Sequence, residues 1–147
     1  CPPSDLDVNV HPKKTEIKFK NEHKIQYIIN KTISDLGCCH IGAHTLNHYC
    51  LSTLKKEEQE HEILANKKSL ENMFGGKIQF FAYPFGSRKH YNQFSVEIVK
   101  NNFLLGLSNF PGLIHKESNP FELPRFLTRN WTLDEFKNKI NSFFANP

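Results

Sequence analysis

Cys39-His40-Ile41-Gly42-Ala43-His44-Thr45-Leu46-Asn47-His48 decides how the rest of the chain is read. A short apolar run feeds a polar loop. The loop carries two imidazoles, His44 and His48, with a hydroxyl and an amide between them. Imidazole is the commonest metal ligand at neutral pH, so two histidines on one turn can converge on a divalent ion. A hydrolytic metal site usually takes three protein ligands and leaves a position open for water. Here two ligands are clear and the third is not. Cys39 with His44 and His48 is the weaker alternative set, because Cys39 would have to turn toward both rings. Two loop histidines taken alone are as readily ordinary polar surface. A helical stripe of His40, His44 and His48 is disfavoured by Gly42 and by β-branched Ile41 and Thr45.

Working outward, residues 38–43 read as a short buried strand and 44–52 as the loop it feeds. Residues 54–74 predict a helix with a Glu- and Lys-rich surface, on which Ile63, Leu64, Leu70, Met73 and Phe74 recur at helical spacing and Gly75-Gly76 stops the run. Ile78 to Tyr83 reads as an aromatic-rich strand closed by Pro84 and Gly86. Residues 92–102 read as a helix with Phe94, Ile98 and Val99 inward, and Phe103 to Leu107 as another buried strand. A loop over 109–130 leads to a last helix ending near Phe144, capped by Thr132 with Glu135 three residues on. Strand, loop and helix repeating in this order argue for parallel strands with helical crossovers. In such folds chemistry collects at the carboxyl ends of the strands, where His44, His48 and the Tyr83–Gly86 turn both fall.

Toward the amino end the period changes. Asp5 to Val10 alternates at period two, Pro12 breaks the ladder, and Glu16-Ile17-Lys18-Phe19 alternates again. Residues 22–36 then place Ile25, Ile28, Ile29, Ile33 and Leu36 on one helical stripe, with Gly37 as its stop.

The chain has 147 residues, enough for one domain of ordinary size, and a formal charge of +4 that is scattered along it. Lys13-Lys14 and Lys18-Phe19-Lys20 are the densest basic run, and a solvated strand face accounts for them; the pattern argues against nucleic acid as a partner. No run is long and apolar enough to span a membrane, and no secretory signal is present. The chain opens on Cys1 and its only methionine is Met73, so a processed or partial chain is expected and the compartment stays open. Cys1, Cys38, Cys39 and Cys50 match no disulfide framework and no paired zinc pattern, which leaves free thiols.

Residues from about Leu36 to Asn146 resemble the polysaccharide deacetylase, or NodB-type, family. The resemblance is carried by Ile41 to His48, Leu51-Ser52-Thr53-Leu54, Phe80-Phe81-Ala82-Tyr83-Pro84-Phe85-Gly86, Leu123-Pro124-Arg125-Phe126 and Trp131-Thr132-Leu133-Asp134-Glu135-Phe136, in the family's order and spacing. It implies an α/β fold, a partial (β/α) barrel of the deacetylase type, and metal-dependent amide hydrolysis on N-acetylated carbohydrate. It assigns His44 and His48 to zinc or another divalent metal and the Phe85 backbone N–H to the oxyanion. Thr45 would support one ligand or line the loop. Ala82 stands where the family usually has Arg, so Arg125 becomes a candidate in its stead. The family's Asp pair, metal ligand and general base, has no counterpart before the loop, and the family's Leu-x-His general acid is missing as well. Weak metal binding and impaired or absent catalysis are therefore expected, with a non-catalytic remnant or interaction module as the alternative.

Residues 2–33, and above all Pro2 to Phe19, resemble the end of the MutL transducer domain of the DNA mismatch-repair ATPases. That resemblance assigns Lys14 to a nucleotide's terminal phosphate, if the contact survives without the nucleotide-binding domain, and leaves His11 a structural strand residue. The two likenesses meet near Ile33-Ser34-Asp35. They predict a MutL-like strand–strand–helix remnant over 1–35 and a truncated deacetylase-like domain over 36–147, the product of a fusion. The open barrel would expose strand edges and invite self-association.

Overall fold

The computed structural model describes residues 6–11, 14–19, 27–29, 31, 32, 35 and 40–145. By contact density the chain divides into Cys1–Cys39 and His40–Pro147.

In the first unit, β1 (Leu6–His11) pairs antiparallel with β2 (Lys14–Phe19), Leu6 opposite Phe19 and His11 opposite Lys14. The two alternating runs on either side of Pro12 therefore form a hairpin. Residues 27–29, 31, 32 and 35 are helical. The Thr32 hydroxyl donates to the Ile28 carbonyl at 2.8 Å, and Lys31 and Asp35 form an exposed (i, i+4) pair at 3.3 Å.

The second unit is built on three short parallel strands, β3 (Gly42–Ala43), β4 (Phe80–Ala82) and β5 (Leu105–Leu107), in that spatial order. Two helical crossovers link them, α1 (Lys56–Phe74) and α2 (Gln93–Asn102); α3 (Leu133–Ala145) closes the chain. Each helix starts where the sequence supplies a partner for its free N–H groups. The Glu58 carboxylate accepts from the Lys55 N–H at 2.8 Å, and the Asn92 side chain accepts from the Ser95 N–H at 3.1 Å. Gly75, at φ 69°, ends α1 in the left-handed conformation that costs glycine nothing.

The core lies between the sheet and the two crossover helices. Phe81 is wholly buried, its ring 5.1 Å from Tyr83 and 5.3 Å from Phe103. Leu51, Ile63 and Val99 close around it without exposure. Full burial of such side chains stabilises by roughly 1.5–3 kcal/mol each.

Two expectations change. The strand read over 38–43 ends where expected, before Thr45 at φ 64° turns the chain out of the sheet, but among the described residues it is paired only at Gly42 and Ala43; Cys38 and Cys39 lie outside the described residues. Met73, read as inward, is 49% exposed on the last turn of α1. No described helix is long and apolar enough to cross a membrane.

Candidate functional site

Because β3, β4 and β5 are parallel, the segments leaving their carboxyl ends share one rim: His44–His48 after β3, Tyr83–Gly86 after β4 and Ser108–Phe110 after β5. Three non-glycine residues on the first two of these segments hold positive φ: Thr45 at 64°, His48 at 56° and Phe85 at 57°. Each such backbone costs on the order of 1–3 kcal/mol and persists only where surrounding bonds over-determine it.

For the His44–His48 loop those bonds come from the inward face of α1. The Glu62 carboxylate accepts from the Asn47 N–H at 2.9 Å and the Asn47 side-chain amide at 2.6 Å, while the Glu62 carbonyl accepts from the Leu46 N–H at 3.2 Å. One turn on, the Asn66 side-chain oxygen accepts from the His44 N–H at 2.9 Å. Within the loop, the His48 N–H donates to the Thr45 hydroxyl at 3.1 Å. One turn earlier, Gln59 is buried and accepts from the Ser95 hydroxyl at 2.6 Å, tying α1 to α2. Gln59, Glu62 and Asn66 thus form a polar stripe beside apolar Ile63. Their helical spacing is the sequence signal that could have identified them as loop anchors.

The loop brings the two imidazoles together. The ring centroids of His44 and His48 are 4.8 Å apart, inclined at 68°. His44 Nδ1 lies 2.8 Å from the Ala82 carbonyl at the end of β4. A carbonyl only accepts, so Nδ1 carries the proton and Nε2 is left with its lone pair free. Metal-ligating histidines are commonly oriented in this way. The His48 ring also meets the Phe85 ring edge-on, centroids 4.7 Å apart. No described residue accepts from the Phe85 N–H, and the Asn109 side-chain amide holds the Phe85 carbonyl at 3.3 Å.

Beneath the rim, the Tyr83 and Tyr91 rings stack at 4.0 Å. The Tyr83 hydroxyl donates to the Phe121 carbonyl at 2.9 Å, and the Tyr91 and Ser108 hydroxyls bond at 2.8 Å. Burial pushes both phenols upward, with the Ser108 bond opposing the rise at Tyr91. Both remain protonated at neutral pH and form a structural floor.

His44, His48 and Phe85 therefore come together. Arg125 stands apart from them: its Nε donates to the Ser108 carbonyl at 2.6 Å. Lys14 opens β2 in the other unit, and Cys39 lies outside the described residues. The donor set of two imidazoles, one with its tautomer fixed, suits a borderline divalent ion. Among the described residues no group of three His, Cys, Asp or Glu side chains is placed to hold one, so two ligands are what this loop offers.

The profile of the family described as polysaccharide deacetylase matches residues 19–103. A polysaccharide deacetylase-like protein of Bacillus subtilis, YxkH, is 28% identical over 86 residues, covering 58% of this chain and 30% of its own length. A Streptococcus pyogenes deacetylase solved with acetate aligns with a TM-score of 0.63 at 21% identity, over 74% of this chain and 49% of that one. The chain thus spans half or less of these relatives, and the structural likeness concerns the fold: mixed helices on a three-stranded parallel sheet. The MutL protein of Bacteroides fragilis is 52% identical over 33 residues, which is 22% of this chain but only 5% of MutL. The sequence profile covers more than half of the chain, and on that ground the chain belongs to the polysaccharide deacetylase family.

Proposed function

We propose that this chain is a metal-dependent carbohydrate N-deacetylase domain with an incomplete catalytic set, built on the later units of a (β/α) barrel. The observation that carries this reading is the pairing of His44, anchored through Nδ1 to the Ala82 carbonyl, with the His48 ring 4.8 Å away. Both imidazoles would hold the divalent ion. When bound, such an ion supplies Lewis-acid activation of water and of an acetamide carbonyl.

The chain's own residues do the rest. The Ala82 carbonyl fixes the tautomer of the neutral His44 ring, so Nε2 is the nitrogen that bears its lone pair. Glu62 and Asn66 hold the loop from below. The free Phe85 N–H, beside the His48 ring, donates to the oxygen that becomes negative as the amide is attacked. This role belongs to the main chain, so a phenylalanine side chain does not disturb it. Arg125 acts as a positioning residue, holding Ser108 and hence the Asn109 contact to Phe85. What the described residues do not bring to the imidazoles is a carboxylate. General-base help worth roughly 10²–10⁴ in rate is then missing, and turnover by this chain is slow.

Calorimetric titration with zinc tests the reading. One ion binds weakly to the native chain and none to a His44→Ala/His48→Ala variant; equal binding by both would overturn it. Release of acetate from acetylated chito-oligosaccharides, lost in the same variant, separates a slow hydrolase from a binding module. Zinc binding without any acetate release assigns the module.

A further inference from the structure

After β5 the chain folds back so that the rings of Phe126 and Phe143 stack, centroids 3.7 Å apart and 7° from parallel. Two cavities flank this stack. The one of about 380 Å³ has no Lys or Arg in its wall. The other, about 330 Å³, is walled by Arg125, Arg129 and Lys139 together with Trp131, Phe126 and Phe143, and by no Asp or Glu. Arg125 spends its Nε on Ser108. The side chains of Arg129 and Lys139 make no hydrogen bond or ion pair with any described residue. Asn109 also lines this cavity, and its N–H donates to the Gly86 carbonyl at 2.7 Å. The cavity therefore begins where the Phe85 turn ends.

We propose that this cavity is a subsite for a negatively charged sugar ring, one bearing a carboxylate or a phosphate, in the glycan presented to the His44–His48 site. The substrate's being a glycan rests on the deacetylase reading; the charge preference rests on the cavity alone. Planar guanidinium forks match carboxylate and phosphate oxygens, while flat aromatic faces accept the apolar face of a pyranose. Among the described residues no acidic side chain lines the wall beside these three exposed cations, so an anion would meet them unopposed. The volume lies at the lower end of the ~300–1,000 Å³ usual for ligand sites, which suits one ring and not a chain of them.

Trp131 is the chain's only tryptophan, so its emission reports on this cavity. The full chain, stripped of metal with EDTA, is titrated with tri-galacturonate, glucose 6-phosphate, neutral tri-N-acetylchitotriose and inorganic phosphate. A charged sugar is expected to change the emission saturably and at least tenfold more tightly than the neutral one, with weaker binding as salt rises. Whichever of the uronate and the phosphosugar binds tighter names the substituent. An Arg129→Gln/Lys139→Gln variant, with unchanged far-ultraviolet dichroism, is expected to lose tenfold or more. Equal binding of neutral sugar, equal binding by the variant, or inorganic phosphate binding as tightly as either charged sugar would overturn the proposal. Zinc binding through His44 and His48 is measured separately. A silent cavity thus leaves the metal reading standing, and a failed zinc titration leaves the cavity result standing.

Discussion

The loop after β3 and the segment after β5 leave the same end of the sheet and are held by different means. The first is short and strained, and buried side chains of α1 fix it from beneath: Glu62 is 5% exposed and supports both Leu46 and Asn47. The second runs from Ser108 to a helix that buries none of its residues; Leu133 and Phe144 are each about two-thirds exposed. Its ties to the rim all lie ahead of that helix: Arg125 to Ser108, Asn109 to the Phe85 turn, the Pro120 and Leu123 carbonyls and the Leu123 N–H to β5 and Ser108, and the Phe121 carbonyl to the Tyr83 hydroxyl. On the proposed reading the difference separates two tasks. Groups that would share an ion must be pre-positioned, and preorganisation needs a rigid base. A surface that would accept a sugar can be looser, at the cost of ordering it on binding.

The largest effect is expected at the joint between the two regions. Gly86 has φ 68°, and a Cβ there would lie 2.6 Å from the Asn109 Cβ and 2.8 Å from its backbone nitrogen. Gly86→Ala combines left-handed strain with a clash against main chain, about 2–4 kcal/mol by urea unfolding. A loss below 1 kcal/mol would mean that the two regions are not coupled there. Next comes Glu62→Ala, which strands the Asn47 donors and removes a buried charge-assisted pair, for about 2–3 kcal/mol. It should also weaken zinc binding by loosening the imidazole loop. Glu62→Gln keeps an acceptor oxygen and should lose less of both. Unchanged zinc affinity in Glu62→Ala would show that the loop needs no support from α1, and the contrast between the regions would collapse.

Much of the contrast was legible in the sequence on one side only. Helical spacing located α1 and α2, the Thr132–Glu135 pair located α3, and alternation about Pro12 located β1 and β2. His44, His48 and the Phe85 turn were placed on one rim by the order of elements. What escaped was the polar side of α1. Its surface is rich in Glu and Lys, so Glu62 looked like one more solvated charge; only the folded loop gives that carboxylate its partners. Arg125 entered only as a candidate stand-in for the family's missing arginine; the fold turns its Nε to the Ser108 carbonyl. Met73 escaped because helical spacing names candidates for a face, and on the last turn Phe74 takes the half-buried position while Met73 faces out.

The smallest expected effect sharpens the second region. At the start of α3, the Glu135 carboxylate accepts from the Thr132 N–H at 2.8 Å and the Thr132 hydroxyl at 3.0 Å, and the Glu135 N–H returns to that hydroxyl at 3.3 Å. Thr132→Ala removes a helix cap, on the scale of about 1 kcal/mol. Because α3 is so little buried, the loss should appear as local fraying, read by amide exchange over residues 133–137 and by Trp131 emission, and hardly at all in global unfolding. The bonds from the Thr132 backbone and then its hydroxyl hold the Glu135 carboxyl below its ordinary value. A group whose pKa is depressed by folding stabilises above its unfolded value, and that contribution disappears as pH falls through the lower folded value. Protection of the first turn of α3 should therefore be complete at neutral pH and fall away below about pH 4, the ordinary carboxylate range. The Glu135→Gln chain should show the same protection, relative to the intrinsic exchange rate, at both ends of that range. If instead protection holds at acid pH in the native chain, or Thr132→Ala lowers the global midpoint as much as Glu62→Ala does, the last helix is anchored as firmly as the imidazole loop, and the two regions are built alike.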